Sequence, residues 1–362
     1  MRIGIDARLY RSSAAGIGRY SQNLIKNLLE LDKENEYVLF MKPDDKQEFD
    51  NWIIENSLKI DNCKLKIVDI PHYSLSEQTK LAKIIEKENC DLVHFLNFNH
   101  PVRYKGKFIV TIHDLTLLFY PEVAKRTNFI KQAAFRYVFK KACKNSSQII
   151  AVSKNTKNDI IKTFHIAPEK ISVIYEAADD KEINKKGIRK NKEKIILYVG
   201  QFRRHKNIKG LLEAFAILKK EIPAKLVLLG KIPEDFRIDS KAILRDTIMP
   251  GFVSDEDLAK WYKRADVFVF PSLYEGFGLP GLEAMQAGLP VVSSNKSSLP
   301  EVYGNAALYF DPLNPKEIAD KIKLVLSDSK IREKLVERGR IQAKKYSWKK
   351  TAEETLKLYS EV

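Results

Sequence analysis

Between Val267 and Val292 the chain runs through an apolar stretch, a glycine-rich loop, a short helix and a second apolar stretch, an order that few folds accommodate. Val267-Phe268-Val269-Phe270 is apolar at every position, the pattern of a parallel strand covered on both faces. The loop that follows carries Gly276 and Gly278. Pro280 costs no hydrogen bond in the first turn of a helix, so a helix opens there. Gly288 and Pro290 stop it, and Val291-Val292 begins the next strand. The loop therefore sits at the carboxyl end of a strand in a doubly wound sheet, where such sheets bind ligands. Backbone N–H groups at a helix start attract phosphate, and glycines let it approach closely.

Two carboxylates bracket this unit, Glu275 in the loop and Glu283 in the helix, with seven residues between them. A carboxylate inside a helix can accept from the paired hydroxyls of a ribose, and one in the loop can do so for a sugar. A sugar joined through a diphosphate to a nucleoside satisfies the whole unit. The plainer reading makes Glu275 a helix cap and Glu283 a solvated side chain; the glycine-rich frame favours the ligand.

The same rhythm extends along the chain. Ile3-Gly4-Ile5, Tyr37 to Phe40, Leu65 to Val68, Leu92 to Phe95, Phe108 to Thr111 and Gln148 to Val152 are short apolar runs separated by helical patterns. Residues 181–194 are charged and poor in apolar side chains, as a linker is. A second set of strands follows at Ile195 to Val199, Leu226 to Leu229, Val267 to Phe270 and Val291-Val292. The expectation is an α/β chain of two Rossmann-like domains, 1–180 and 195–347, facing each other across a cleft, with an amphipathic last helix in 348–362. At 362 residues the chain is long enough for both.

Composition narrows the function classes. With 44% hydrophobic and 30% charged residues the chain is globular rather than disordered. No apolar run approaches the roughly 20 residues that span a bilayer. The first residues read as a strand rather than a signal peptide. Cys63, Cys90 and Cys143 have neither disulfide nor metal spacing, and a cytoplasmic location is expected. The net charge of +16 points to an anionic partner. Nucleic acid is not expected, because base-stacking and helix-turn-helix signatures are absent. From Val123 through Asn158 there is no aspartate or glutamate against nine lysines and arginines, with Phe129, Phe135, Tyr137 and Phe139 interleaved. This segment reads as a helix with a solvated basic face; the sharper alternative is peripheral contact with anionic lipid at the inner face of the membrane.

Pro271-Ser272-Leu273-Tyr274-Glu275-Gly276-Phe277-Gly278-Leu279-Pro280-Gly281-Leu282-Glu283-Ala284-Met285 resembles the E-x7-E signature of the retaining glycosyltransferases of family 4, which have the GT-B fold. The resemblance runs from the first strand to the last helix and extends to bacterial mannosyl- and rhamnosyltransferases of the glycosyl transferases group 1. It implies an acceptor-binding first domain, a nucleotide-sugar-binding second domain and a final helix that returns to the first. It implies that Glu275 lies near the donor sugar, that Glu283 holds the nucleoside ribose, and that the amides around Gly276, Phe277, Gly278 and Leu279 face the diphosphate.

Other segments take roles from the same resemblance. Gly200 and the basic loop Gln201 to Asn207 follow a strand, and family members clamp the two phosphates there with a lysine and an arginine. Lys206 matches the lysine. The arginine is Arg204, with Arg203 and His205 as the alternatives. His113-Asp114 at the end of the Phe108 to Thr111 strand resembles the His-Asp pair of mannosyltransferases. It implies a His113 contact with the donor sugar, and an Asp114 that holds His113 or binds the acceptor. Gly16, Gly18, Arg19 and Tyr20 read as a loop under phosphate or acceptor. Ser153 reads as a helix cap that also faces the cleft, and Ser298, with Ser297, as the cap of another helix near the diphosphate.

The resulting expectation is a metal-independent hexosyltransferase without a cofactor. It moves mannose or a similar sugar from a nucleoside diphosphate, GDP favoured over UDP, to a saccharide or lipid-linked oligosaccharide in cell-surface polysaccharide synthesis. A sugar-nucleotide epimerase of the same fold and an inactive scaffold in a polysaccharide assembly are the rivals.

Overall fold

The computed structural model describes residues 1–10, 15–56, 60–121, 129–179, 193–234, 236–238 and 240–362. The expected linker falls almost wholly outside them, as do residues 123–128 of the basic stretch. The chain forms two compact units, Met1–Glu176 with Trp348–Val362, and Ala177–Ser347.

The first unit is built on a seven-stranded parallel sheet: β1 (Arg2–Asp6), β2 (Glu36–Met41), β3 (Cys63–Ile67), β4 (Leu92–Phe95), β5 (Phe108–Ile112), β6 (Gln148–Ala151) and β7 (Ile171–Val173). Their order is β3-β2-β1-β4-β5-β6-β7, so the direction of winding reverses between β1 and β4. Ile3 of β1 pairs with Tyr37 on one side and Leu92 on the other. β4 and β5 are buried along their whole length, because helices cover both faces of a parallel sheet.

The helix Trp348–Glu361 belongs to this unit through its buried stripe of Trp348, Thr351, Ala352, Thr355, Leu358 and Tyr359. That spacing is one face of a 3.6-residue period. It packs on the helix Ala15–Leu31. Its polar groups are anchored inside the unit: the Tyr359 hydroxyl lies 2.7 Å from Nδ1 of buried His94, and Thr351 Oγ1 donates to the Tyr175 carbonyl at 2.7 Å.

The second unit carries a six-stranded parallel sheet: β8 (Lys194–Val199), β9 (Ala224–Leu229), β10 (Thr247–Gly251), β11 (Val267–Phe270), β12 (Val291–Ser294) and β13 (Ala307–Phe310). The order β10-β9-β8-β11-β12-β13 reverses between β8 and β11. Phe268 of β11 pairs with Leu197 and Val291.

Three strands, β7, β10 and β13, are additions to the sequence expectation. All three are edge strands. β7 has three residues and β10 contains Pro250 and an irregular register, so neither carries the continuous apolar run that marks an inner strand; β13 is apolar throughout but only half buried. Tyr359→Phe leaves Nδ1 of His94 without its hydroxyl partner in a dry interior. A loss of about 1–3 kcal/mol in urea unfolding is expected; an unchanged midpoint and slope would show that this contact does not secure the last helix.

Candidate functional site

In the second unit, the carboxyl ends of β8 and β11 bring two loops together. After β8 the chain turns through Arg204–Lys206 and reaches Asn207 in the left-handed region (φ 55°). Asn207 caps the helix Ile208–Leu218 by accepting from the Gly210 N–H. Its amide also donates to the carbonyls of Pro271 (3.2 Å) and Pro312 (2.7 Å). The Leu273 N–H donates to the His205 carbonyl at 2.7 Å. These bonds stitch the basic turn to the loop that follows β11.

Across this seam Lys206 Nζ donates to both oxygens of Glu275, at 2.7 and 2.8 Å. The ammonium also lies 5.8 Å from the ring centre of Phe270. The Lys206 and Glu275 side chains are only 18% and 10% exposed, so the pair is poorly screened. The charge of Glu275 is felt by its neighbours: burial first, and then Glu275, raise the pKa of both Tyr198 and Tyr303.

The glycine-rich loop is held from behind by the turn after β12 and by the helix Leu299–Tyr303. Ser297 Oγ accepts from the Glu275 N–H at 3.1 Å and donates to the Glu275 carbonyl at 2.6 Å. Ser298 Oγ donates to the carbonyls of Glu275 (3.0 Å) and Phe277 (3.3 Å). The Tyr303 hydroxyl donates to the Gly278 carbonyl at 2.6 Å. Gly278 has φ 102°, and a Cβ there would lie 2.6 Å from the Tyr303 hydroxyl, so both backbone and space require glycine. The helix Leu279–Gln286 starts immediately after it: Pro280 has no N–H, the Gly281 N–H donates to the Gly278 carbonyl at 3.2 Å, and the Leu279 N–H has no acceptor within the helix. Glu283 on that helix is buried and accepts from the Tyr262 hydroxyl at 2.8 Å.

The expected cap at Ser297 and Ser298 is therefore corrected: no side-chain cap bond forms, because both hydroxyls are engaged by the Glu275 loop. His205 is corrected as a source of positive charge. Its ring is buried, and burial, then Lys206 and Arg203, lower its pKa to about 3. Arg203 and Arg204 are exposed beside the turn. Gly200 directly follows β8, and a Cβ there would collide with the Tyr198 hydroxyl at 2.5 Å.

In the first unit, His113 and Asp114 follow β5. His113 Nδ1 lies 2.8 Å from Glu176 Oε1, and Nε2 lies 2.9 Å from the Leu96 carbonyl. Glu176 was not singled out from the sequence, and it takes the place expected for Asp114: Asp114 Oδ1 instead accepts from the Thr116 N–H at 2.7 Å. Ser153 does cap its helix, accepting from the Thr156 N–H, and Thr156 Oγ1 donates to the His113 carbonyl at 3.1 Å.

The loop expected at Gly16, Gly18, Arg19 and Tyr20 is corrected to helix, since all four lie in Ala15–Leu31. Residues 11–14, just before it, are outside the described residues. Tyr20 is fully buried; its hydroxyl lies 3.0 Å from Thr111 Oγ1, and its ring packs edge-on to His113 (4.7 Å) and Trp348 (5.9 Å). It supports His113 and is not a loop contact. Among the described residues no group of three or more His, Cys, Asp or Glu side chains gathers as metal ligands would, and no helix is long and apolar enough to cross a membrane.

Removing one member of a poorly screened pair strands the other's charge. Lys206→Met is expected to lower unfolding stability by about 1–3 kcal/mol, and Lys206→Met/Glu275→Gln to recover part of it in denaturant titration. Additive losses in the double variant would show that the two groups are not coupled.

Residues 14–182 match the family described as Glycosyltransferase Family 4, and residues 179–342 that described as Glycosyl transferases group 1. The chain is 30% identical over 370 residues to the O-antigen chain mannosyltransferase B of Escherichia coli, covering 95% of each chain. It is 31% identical over 229 residues to the O-antigen chain mannosyltransferase RfbU of Salmonella typhimurium, covering 62% of each. Its fold resembles that of the sucrose-phosphate synthase of Thermosynechococcus elongatus, with a TM-score of 0.77 at 20% identity over 100% of this chain and 98% of that one.

Proposed function

The chain belongs to the family 4 glycosyltransferases of GT-B fold, and we propose that it transfers a hexose, mannose or a close relative, from a nucleoside diphosphate to a saccharide with retention at the anomeric carbon. The observation that carries this reading is the Lys206–Glu275 pair, set beside the opening of the helix Leu279–Gln286.

A diphosphate there gains an ammonium and helix-start amides, both of which stabilise charge that builds on the leaving group as the glycosidic bond breaks. Lys206 exchanges Glu275 for phosphate, which frees the Glu275 carboxylate to accept from sugar hydroxyls. The amides of Gly276, Phe277, Gly278 and Leu279 face the diphosphate, Gly200 leaves room for it, and Arg204, or Arg203 in its place, adds the second cation. Glu283, already aimed by Tyr262, accepts from the ribose. In the first unit His113 and Asp114 serve the sugar and the acceptor hydroxyl, with Ser153 and Thr156 fixing the His113 carbonyl. The acceptor oxygen bonds to the anomeric carbon as the bond to the phosphate oxygen breaks, and its proton passes to the leaving phosphate. Cationic side chains do the work of a metal in this reading. GDP is favoured over UDP because the named relatives are mannosyltransferases.

Thermal unfolding with GDP, UDP, ADP and dTDP and their sugars, in excess chelator, tests this. A ligand at about 100 times its dissociation constant adds roughly 2.7 kcal/mol, a rise of several degrees. A rise with one nucleotide, lost in Lys206→Ala, is expected. Glu275→Ala should keep the fold and lose about 100-fold in turnover. Product formed without any acceptor, with the donor sugar epimerised, would favour the epimerase; no rise with any nucleotide would favour a scaffold.

In this reading the acceptor is met at an anionic membrane surface on the cytoplasmic side. Supporting this, every charged side chain of the helix Phe129–Asn145 is cationic, and Phe129, Ile130 and Tyr137 are 84%, 71% and 53% exposed. Apolar side chains ringed by lysine and arginine suit an anionic bilayer face. Flotation with vesicles containing phosphatidylglycerol, but not with pure phosphatidylcholine, is expected, and Phe129→Ser/Ile130→Ser should weaken it; equal flotation with both vesicles would remove the membrane from the assignment.

A further inference from the structure

Two histidines of the first unit, His94 fully buried and His113 partly so, are forced into opposite states by their surroundings. His94 on β4 meets only hydroxyls, Tyr359 at Nδ1 (2.7 Å) and Thr111 at Nε2 (2.8 Å). Burial, and then the charge of His113, lower its pKa to about 3, so it stays neutral. His113 meets only acceptors. A carbonyl oxygen cannot donate, so Nε2 must carry a proton toward Leu96; a carboxylate accepts, so Nδ1 carries one toward Glu176. Two further contacts hold the residue in place. Tyr20 packs edge-on against the ring, and the His113 carbonyl accepts from Thr156.

We infer that Glu176 is a positioning residue that holds His113 as an imidazolium, so that the end of β5 presents a fixed positive charge rather than a group that shuttles protons. With both ring nitrogens committed, His113 has no lone pair for an acceptor hydroxyl. What it offers a ligand is the remaining edge of a cationic ring, 12% of the side chain being exposed, and oxygen-rich groups such as sugar hydroxyls or phosphate are the chemistry that edge attracts. Glu176 is itself well fixed. It ends the first of the unit's two segments, Met1–Glu176, and the preceding carbonyl, that of Tyr175, is held by Thr351 of the last helix.

The charged groups around the ring agree with this state. Burial works against the cation, but Glu176, the Leu96 carbonyl and Asp114 outweigh it, and the pKa of His113 is raised above 6.5. From β4, neutral His94 adds no competing charge, and from the helix Ala15–Leu31 the buried Tyr20 hydroxyl stays protonated, its pKa raised mainly by burial. The sign follows: the pair contributes stability fully below pH 6.5 and loses it as pH rises through the raised value.

The inference rests on the glycosyltransferase reading only for its kinetic consequence, so the first readout is independent of activity. In protein labelled with ¹⁵N-histidine, with His113 identified by the signal lost in His113→Asn, both ring nitrogens should be protonated at pH 6. Glu176→Gln should lower the titration midpoint by about one pH unit or more, and Glu176→Asp should restore part of it. In turnover, Glu176→Gln should move the alkaline limb of kcat to lower pH with the donor KM changed less than threefold. A bare ring nitrogen on His113 at pH 6, or the same titration in wild type and Glu176→Gln, would overturn the inference. Failure of transferase activity with an intact titration shift would count against the proposed function alone.

Discussion

An ammonium held on both oxygens of a carboxylate, in a place shielded from water, organises the second unit. Lys206 and Glu275 come from segments more than sixty residues apart in the chain, one a single 3-10 turn and the other an irregular loop. They meet because Asn207 reaches from one loop to the Pro271 carbonyl and the Leu273 N–H reaches back to His205. They stay fixed because Ser297, Ser298 and Tyr303 hold the glycine-rich loop from the far side. An opposite charge that costs desolvation but is kept in place is a poor source of stability. It is a good way to keep a cation and an anion preorganised for a ligand that replaces one of them.

The first unit uses hydrogen-bond partners to set charge. Hydroxyls around His94 leave it neutral, while a carbonyl and a carboxylate around His113 leave both nitrogens donating. The two rings report to opposite parts of the unit: His94 to the returning helix through Tyr359, and His113 to the end of β7 through Glu176. Neighbouring groups whose surroundings push their protonation apart are what a site needs if one is structural and the other faces substrate.

Much of this was legible in the sequence. The inner strands, the glycine-rich loop and the helix opening beside Pro280 follow from apolar runs and helix-start chemistry, and they stand where the pattern puts them. The edge strands β7, β10 and β13 were not legible, because an edge needs only one good partner and tolerates proline and exposure. Gly16 to Tyr20 read as a loop because glycine disfavours helix, yet burial of Tyr20 against His113 and Trp348 overrides that preference. Glu176, Tyr262 and Tyr303 were invisible, since their roles depend on residues 63, 21 and 25 positions away and leave no local pattern. Ser297 and Ser298 looked like helix caps, the local use of serine, and were claimed by a distant loop instead.

The most direct measurement is calorimetric titration of GDP and UDP into wild type, Lys206→Ala and Glu275→Gln. If Glu275 competes with phosphate for Lys206, Glu275→Gln binds the nucleoside diphosphate as tightly as wild type or more tightly, while Lys206→Ala binds at least about tenfold more weakly, the loss of a charge-assisted contact. Equal weakening by both substitutions, or binding that is indifferent to Lys206→Ala, would contradict a phosphate site built on this pair.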